Sequence, residues 1–295
     1  MEHLFRILAH SLETLEIGIT CNVMDVHKIY SIMESTPLHR FATIRVPAPV
    51  LLSNFNHPFL FHQFITVLHV SPAYSRTFPS ILPETFLPKL RHLSAPWPVA
   101  KLLIPGRPVQ VFRDTELILS TTRAFESILV ELAKSTSGIE ELELCSKWSS
   151  PSIFKQLKKH MPRLKRLRLV VEAQMWHDPR QMEKNMAMEP KFGVQYEPLQ
   201  ELELMMEIPS KTSQPHQVSR PNCRVIATLF TLICPSLEVL SFIAVSNKFQ
   251  VNERDVAPRC IFKLRRTANG EWEERGFGIK TPQGAKGFPM LDYKS

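Results

Sequence analysis

The chain has 295 residues, and its 36 basic and 28 acidic side chains give it a formal net charge of +8 at pH 7. Its longest apolar runs reach about half of the roughly 20 residues that a membrane-spanning helix needs. Only 9 glycines accompany 24 prolines, which disfavours nucleotide-binding folds built on glycine-rich loops. The 5 cysteines are dispersed without a C-x-x-C pair, so we expect no zinc ribbon and a reducing compartment, cytoplasmic and/or nuclear. No membrane partner is predicted.

One spacing recurs along the chain: an apolar residue, two others, a leucine or similar residue, one other, and a third apolar residue. Most copies follow one another after about 25 residues, which is the period of leucine-rich repeats. In chain order the copies are Leu12-x-x-Leu15-x-Ile17, Phe41-x-x-Ile44-x-Val46, Ile65-x-x-Leu68-x-Val70, Leu90-x-x-Leu93-x-Ala95, Ile139-x-x-Leu142-x-Leu144, Leu164-x-x-Leu167-x-Leu169, Leu199-x-x-Leu202-x-Leu204 and Leu237-x-x-Leu240-x-Phe242. The pattern predicts an α/β leucine-rich repeat solenoid, with parallel strands on its concave face and helices on its convex face.

One step between copies is about twice the others, and Leu117-x-Leu119 lies where the missing copy is expected, with Asp114 in its first position. Counting that copy, we predict a solenoid of about nine strand repeats over residues 1–258. Two longer steps carry polar, proline-bearing insertions near 173–192 and 209–222. Insertions of this kind often contribute to binding, and drift in a tolerant loop is the alternative.

Apolar residues at helical spacing predict helices over 22–35, 121–135, the stretch after Ser150-Pro151, and 224–233. Gly138 is expected to end the second helix with a positive φ.

The two ends of the chain depart from the repeat. Residues 259–280 are predicted to form a capping hairpin, in which Asn269-Gly270 favours a type I′ turn, and residues 281–295 a flexible tail. Leu4 to Leu12 is predicted to be the helical half of a repeat without a polar cap before it. A solenoid normally needs such a cap, so we expect the chain to begin inside a larger architecture.

The densest basic stretch, Lys155 to Arg168, could by itself indicate nucleic-acid binding. The repeat register instead places its arginines on the open face of the sheet, between acidic residues of the neighbouring strands. We therefore predict a structural ion-pair row of Glu143, Arg168 and Glu203. The remaining lysines are expected on an outer helix, which disfavours nucleic acid as a partner.

The same register places less charged residues elsewhere on the concave face. The candidate partner contacts are Met205, Val239, Ser241, Ile243, His69 and His92. The first four form a more apolar patch beside the 209–222 insertion, and exposed apolar groups are candidate contacts. The alternative is that the C-terminal hairpin covers this patch.

Catalytic signatures are absent from the sequence: no G-x-S-x-G, H-E-x-x-H, G-x-G-x-x-G or G-x-x-x-x-G-K-[ST] occurs. We therefore predict no enzyme, no catalytic, cofactor-binding or metal residues, and no cofactor.

Residues 87–109, LPKLRHLSAPWPVAKLLIPGRPV, carry a more specific pattern, in which a strand enters S-A-P and an apolar segment ends in I-P-G-R-P-V. This segment, followed by a strand over Val109 to Phe112, resembles the leucine-rich repeat region of fungal (basidiomycete) F-box-type proteins. Residues 260–276, with asparagine-glycine and a tryptophan, resemble the closing hairpin of that family. The likeness extends over roughly residues 1–276, but only these two segments are more specific than the general repeat.

The resemblance implies recognition of a protein substrate for an SCF-type (Skp–cullin–F-box) ubiquitin ligase. The F-box itself is not evident before Leu12, so a Skp-type adaptor is expected as a partner only if an F-box lies upstream. A free-standing repeat scaffold without a ubiquitin role is one alternative. The other is RNA or acidic-ligand binding through Lys155, Lys158 and Lys159.

Overall fold

The structure is a computed structural model that describes residues 11–16, 23–35, 42–53, 56–57, 60, 65–71, 82–83, 85–115, 122–144, 153–171, 195–208, 223–246 and 260–277. Within these residues, eleven strands form one sheet in which spatial order follows chain order. The strands are β1 (Thr14–Glu16), β2 (Thr43–Pro47), β3 (Val67–Ser71), β4 (His92–Ala95), β5 (Val111–Asp114), β6 (Glu141–Leu144), β7 (Arg166–Val171), β8 (Glu201–Ile208), β9 (Val239–Ser246), β10 (Cys260–Arg266) and β11 (Trp272–Phe277).

Helices follow several of the strands and form the second layer. They are α1 (Val23–Glu34), α2 (Ala48–Ser53), α3 (Trp97–Leu103), α4 (Thr122–Leu132), α5 (Ile153–His160) and α6 (Cys223–Ile233). Each helix of the described part is too short or too polar to cross a bilayer.

Strands β1 to β9 are all parallel, and the middle residue of the recurring motif is in register from each strand to the next. The in-register residues are Leu15, Ile44, Leu68, Leu93, Phe112, Leu142, Leu167, Leu202 and Leu240, and all are buried. Side chains of a strand alternate between the two faces of a sheet, so these in-register residues form a buried ladder on one face. That face packs against the helices. The predicted leucine-rich repeat solenoid is confirmed.

The predicted position of the missing repeat copy is wrong. The strand that fills the gap is β5, in which Phe112 pairs with Leu93 and Leu142 and takes the place assigned to Leu117. Asp114 is therefore the third inward residue of that copy, 6% exposed, and not a disrupted first residue. Leu117 and Leu119 lie outside the described residues. An aromatic side chain fills the middle slot as well as leucine does, which is why counting leucines missed this copy.

The helices agree with the spacing of apolar residues, with shifted ends. In α4 the residues at helical spacing, Phe125, Ile128, Leu129 and Leu132, are buried, but the helix ends at Leu132 and not at residue 135. Gly138 does have a positive φ of 74°, in the turn that enters β6 and not at the end of the helix. Glycine is favoured there because other residues rarely adopt a positive φ, and a Cβ would also lie 3.2 Å from the Arg163 Cδ.

The C-terminal hairpin is present, but its turn differs from the predicted type I′. Gly270 has a φ of 82° while Asn269 does not have a positive φ, and type I′ requires it at both positions. Gly270 N donates to Thr267 O at 2.9 Å, and Thr267 N donates to Glu271 O at 2.8 Å. This arrangement is the longer hairpin loop, in which a glycine in the left-handed region follows a type I turn.

The hairpin continues the sheet and the core beyond the parallel strands. β10 pairs antiparallel to β9, with Leu264 opposite Leu240, so the buried ladder gains one more residue. Trp272 of β11 is 8% exposed, and its Nε1 donates to Thr231 Oγ1 of α6 at 3.1 Å. The hairpin is therefore joined to the last repeat through both of its layers.

Arg107, in the I-P-G-R-P-V segment, is 1% exposed and crosslinks the backbone after α3 to the residues before β4. Its Nε donates to Phe86 O at 2.5 Å, and its NH2 donates to Pro83 O at 2.7 Å. Its NH1 donates to Leu103 O at 3.1 Å and to Pro105 O at 2.9 Å. Gly106, with a φ of 75°, makes the turn that brings the guanidinium inward. The motif that carried the family resemblance is thus an internal clamp.

Several predictions fall on residues that the structure does not describe. These are the helical segment before Leu12, the insertions near 173–192 and 209–222, and the tail 281–295.

Candidate interaction surface

The side chains that point away from the buried ladder line the open, concave face of the sheet in two rows. The first row is Thr43, Val67, His92, Val111, Glu141, Arg166, Glu201, Val239 and Arg265, and the second row is Arg45, His69, Ser94, Arg113, Glu143, Arg168, Glu203, Ser241 and Lys263. Neighbouring strands are about 4.8 Å apart, so each residue can reach its counterpart on the next strand.

Four residues of the second row form a continuous chain of ion pairs across β5 to β8. Arg168 NH1 donates to Glu143 Oε2 at 2.9 Å, and Arg168 NH2 donates to Glu203 Oε2 at 2.7 Å. Arg113 Nε lies 3.7 Å from Glu143 Oε2. Each of the two central groups, Glu143 and Arg168, therefore has an opposite charge on both sides.

Electrostatics favour this arrangement although the residues are partly buried. Burial alone would lower the pKa of Arg168, but the charges of Glu143 and Glu203 outweigh it and hold that pKa above its ordinary value. In the first row, Arg166 NH2 donates to Glu141 Oε1 on the adjacent strand. The charges on β6 and β7 are thus satisfied within the protein.

The sequence reasoning missed Arg113 as a member of this row. The cause was the misplaced repeat copy, since Arg113 faces the concave side only when Phe112 takes the middle slot. Val109-x-x-Phe112-x-Asp114 satisfies the repeat spacing if phenylalanine and aspartate are allowed, and that signal could have located the strand.

The basic stretch divides between the two faces. Arg166 and Arg168 lie on the concave face with acidic neighbours, whereas Lys155 and Lys158 are exposed on α5. Lys159, also on α5, lies 3.5 Å from Glu126 of α4.

The predicted partner contacts lie in two separate places. Val239 and Ser241 lie half-buried on β9, and Met205 of β8 is in register with Ile243 of β9, although the side chains of these last two residues are outside the description. His69 on β3 is half-buried, and His92 on β4 is exposed. Burial and the nearby charges of Arg113 and Arg91 lower the pKa of His92. Five strand spacings, about 24 Å, separate β4 from β9, so the structure does not bring the histidines to the patch on β8 and β9.

A shallow depression of about 180 Å³ covers the C-terminal part of the concave face, from Arg113 to Lys263. Drug-sized ligands bind in pockets of roughly 300–1,000 Å³ that enclose most of their surface. The depression is therefore suited to the side chains of a larger partner. Within the described residues, no group of three or more histidine, cysteine, aspartate or glutamate side chains could hold a metal ion.

A buried histidine near the N-terminal end forms the other cluster of titratable groups. His57 is 5% exposed, lies 3.2 Å through Nε2 from Ser31 Oγ, and packs edge-on against His27 with 4.5 Å between ring centroids. Burial and the His27 ring lower the pKa of His57. The Ser31 hydroxyl donates to the His27 carbonyl of its own helix at 3.0 Å, which is a structural bond within α1.

Comparison with known proteins gives a leucine-rich repeat neighbour among solved structures. The chain is similar to the crystal structure of the leucine-rich repeat-containing protein LegL7 from Legionella pneumophila, with 12% identity and a TM-score of 0.44 over 83% of this chain and 87% of that one. No family model matches the chain, and no curated protein does.

Proposed function

We propose that this protein binds a partner protein on the concave face of its solenoid. The observation that carries the proposal is the open face of β1 to β10, which in the described residues presents two rows of side chains and a shallow depression. A broad, polar face of this kind can hold many residues of a partner at once, as the concave surfaces of solenoids do.

The resemblance of residues 87–109 and 260–276 to fungal F-box-type proteins supports a more specific role. We propose that the bound partner is a substrate protein presented to an SCF-type ubiquitin ligase. The Arg107 clamp, in the first segment of the resemblance, shapes the repeats beside the concave face. The closing hairpin, the second segment, extends that face with the exposed Lys263 and Arg265 of β10.

The test introduces bulky tryptophan side chains on the concave face of the sheet and, as a control, on a convex helix. Ser94→Trp on β4 and Ser241→Trp on β9 each put a large side chain on the concave face, and Lys158→Trp puts one on α5. The tagged protein and the three variants are expressed in fungal cells with the tag at the C terminus, and the co-purifying proteins are identified and then tested as purified partners. We expect a direct partner whose binding is abolished by Ser94→Trp or Ser241→Trp and is unchanged by Lys158→Trp.

A partner whose binding is lost only with the Lys158→Trp variant would overturn the concave-face proposal. The ligase role has its own readout: when the protein and its variants are expressed together with an upstream F-box, a Skp-type adaptor should co-purify with each of them. A concave-face partner without any adaptor would refute the ligase role and support the free-standing scaffold.

A further inference from the structure

Strand β9 interrupts the alternation of charge that runs across the concave face. β6 presents two acidic residues, β7 two basic residues, and β8 two acidic residues, Glu201 and Glu203. β9 presents Val239 and Ser241, and β10 then presents Arg265 and Lys263 opposite them. A neutral floor therefore lies between an acidic strand and a basic strand, and we call it the β9 groove.

The charges on the two walls of the β9 groove do not pair with each other. Two strand spacings, about 9.6 Å, separate β8 from β10, and no ion pair joins these two strands among the described residues. Among the described residues, the chain of ion pairs ends at Arg168–Glu203. Glu201, Lys263 and Arg265 are exposed and make no ion pair with another described residue. The groove thus has exposed charge of opposite sign on its two sides, with Glu203 already paired to Arg168 on the acidic side and Glu273 of β11 in register beside Arg265 on the basic side.

The spacing of these charges along the groove matches an extended peptide. Residues two apart on a strand are about 6.8 Å apart, so Glu201 and Glu203 repeat at that distance on one wall, and Lys263 and Arg265 on the other. An extended peptide has the same repeat, and its successive side chains point to opposite sides. A chain lying along β9 would direct alternate side chains to the acidic wall and the intervening ones to the basic wall.

We propose that the β9 groove binds an extended segment of a partner protein in which basic and acidic residues alternate. This inference rests on the proposed concave-face function and names the chemistry of its partner. The lysines or arginines of the segment contact Glu201 and Glu203, and its aspartates or glutamates contact Lys263 and Arg265. Glu203 accepts from the segment through its Oε1, because its Oε2 already accepts from Arg168.

The experiment compares two fluorescent peptides of identical composition and zero net charge. In one peptide lysine and glutamate alternate, and in its isomer the lysines all precede the glutamates. Like charges at i,i+4 disfavour a helix in the alternating peptide. Measured by fluorescence anisotropy, the alternating peptide should bind about tenfold more tightly than its isomer, and more weakly as salt is raised.

Paired charge reversals locate the binding on the molecule. Lys263→Glu with Arg265→Glu should weaken binding of the alternating peptide about tenfold or more, since it removes two attractive contacts and adds two repulsive ones. Lys155→Glu with Lys158→Glu changes the net charge equally on α5 and should leave the affinity within about twofold. If the charge reversal on β10 unfolds the protein, the neutral pair Lys263→Gln with Arg265→Gln removes the same two attractive contacts and should also weaken peptide binding.

Equal affinity for the two peptides, no binding of the alternating peptide, or equal losses in the two paired variants would each overturn this inference. A partner blocked by Ser94→Trp but not by Ser241→Trp would leave the concave-face function intact while placing recognition away from the β9 groove.

Discussion

The ion-pair row across β5 to β8 offers a quantitative test of how the concave face is held together. Arg168→Met removes the guanidinium and keeps an unbranched apolar stem of similar length. The variant loses the hydrogen bonds at 2.9 Å to Glu143 and at 2.7 Å to Glu203. Glu143 keeps Arg113 at 3.7 Å, whereas Glu203 keeps no ion pair with a described residue.

The expected cost follows from the burial of these groups. A charge-assisted hydrogen bond contributes about 1.5–3 kcal/mol to stability where it is buried, and an exposed ion pair about 0.2–1 kcal/mol. The side chain of Arg168 is 36% exposed and the carboxylates 21% and 23%, so the two bonds lie between these limits. We expect Arg168→Met to lower the free energy of unfolding by about 2 kcal/mol after this allowance for solvent screening.

Urea denaturation followed by circular dichroism measures this loss, and Arg45→Met is the matched control. Arg45 begins the same row and lies 3.8 Å from Glu16, its in-register neighbour on β1. Their side chains are 54% and 72% exposed, so the loss in Arg45→Met should stay below about 0.5 kcal/mol. A double-mutant cycle of Arg168→Met with Glu203→Gln should give a coupling energy of about 1 kcal/mol. Equal losses for Arg168→Met and Arg45→Met, or a coupling energy near zero, would refute the stabilising role of the row.

Three further predictions concern the rest of the fold. Arg107→Lys should lower the free energy of unfolding, measured by urea denaturation, by about 3 kcal/mol, because one ammonium group cannot donate to the carbonyls on both sides of the clamp. A decrease below about 1 kcal/mol would contradict the clamp. Leu142→Ala in the buried ladder should cost about 2–5 kcal/mol, whereas Leu232→Ala, at a position 54% exposed, should cost under about 0.5 kcal/mol, and similar losses would argue against the ladder. The pKa of His57 is lower in the folded protein than in the unfolded chain, so acid protonates the unfolded chain preferentially. The free energy of unfolding should therefore be constant with respect to His57 above a pH of about 6.5 and decrease as the pH falls below it. His57→Gln should flatten that decline, and an unchanged pH profile would exclude His57 as its cause.

The repeat and its register could be predicted from the sequence because both follow from a simple alternation. Once Leu142, Leu167 and Leu202 are taken as inward, the residues on either side must face outward, and the Glu–Arg–Glu rows follow. The same reasoning failed at β5, where Phe112 occupies the middle position that holds leucine or isoleucine on the other parallel strands, and Asp114 occupies a third position that is apolar in the other copies. The repeat spacing is kept at β5, but the unexpected residue types there led to the wrong position for the missing repeat copy.

Two other features, the hairpin turn and the β9 groove, depend on backbone geometry that the spacing of apolar residues does not predict. The turn at Asn269-Gly270 has the expected glycine, but the backbone hydrogen bonds of Thr267 set the loop length and hence the turn type. The β9 groove depends on which residues of the antiparallel β10 lie opposite β9, and that register is set by the hairpin. The sequence placed Val239 and Ser241 on the face without revealing that Lys263 and Arg265 would form its second wall.

The central claim, recognition of a partner on the concave face, is tested most directly by lysine footprinting of the complex. The protein is acetylated with and without the purified partner, and modification of individual lysines is quantified by mass spectrometry. Lys263 on the concave face and Lys155 and Lys158 on the convex helix are all exposed in the free protein, so each molecule carries its own control. We predict that the partner slows modification of Lys263 and leaves Lys155 and Lys158 unchanged. Protection of the two convex lysines with Lys263 unaffected would contradict the account.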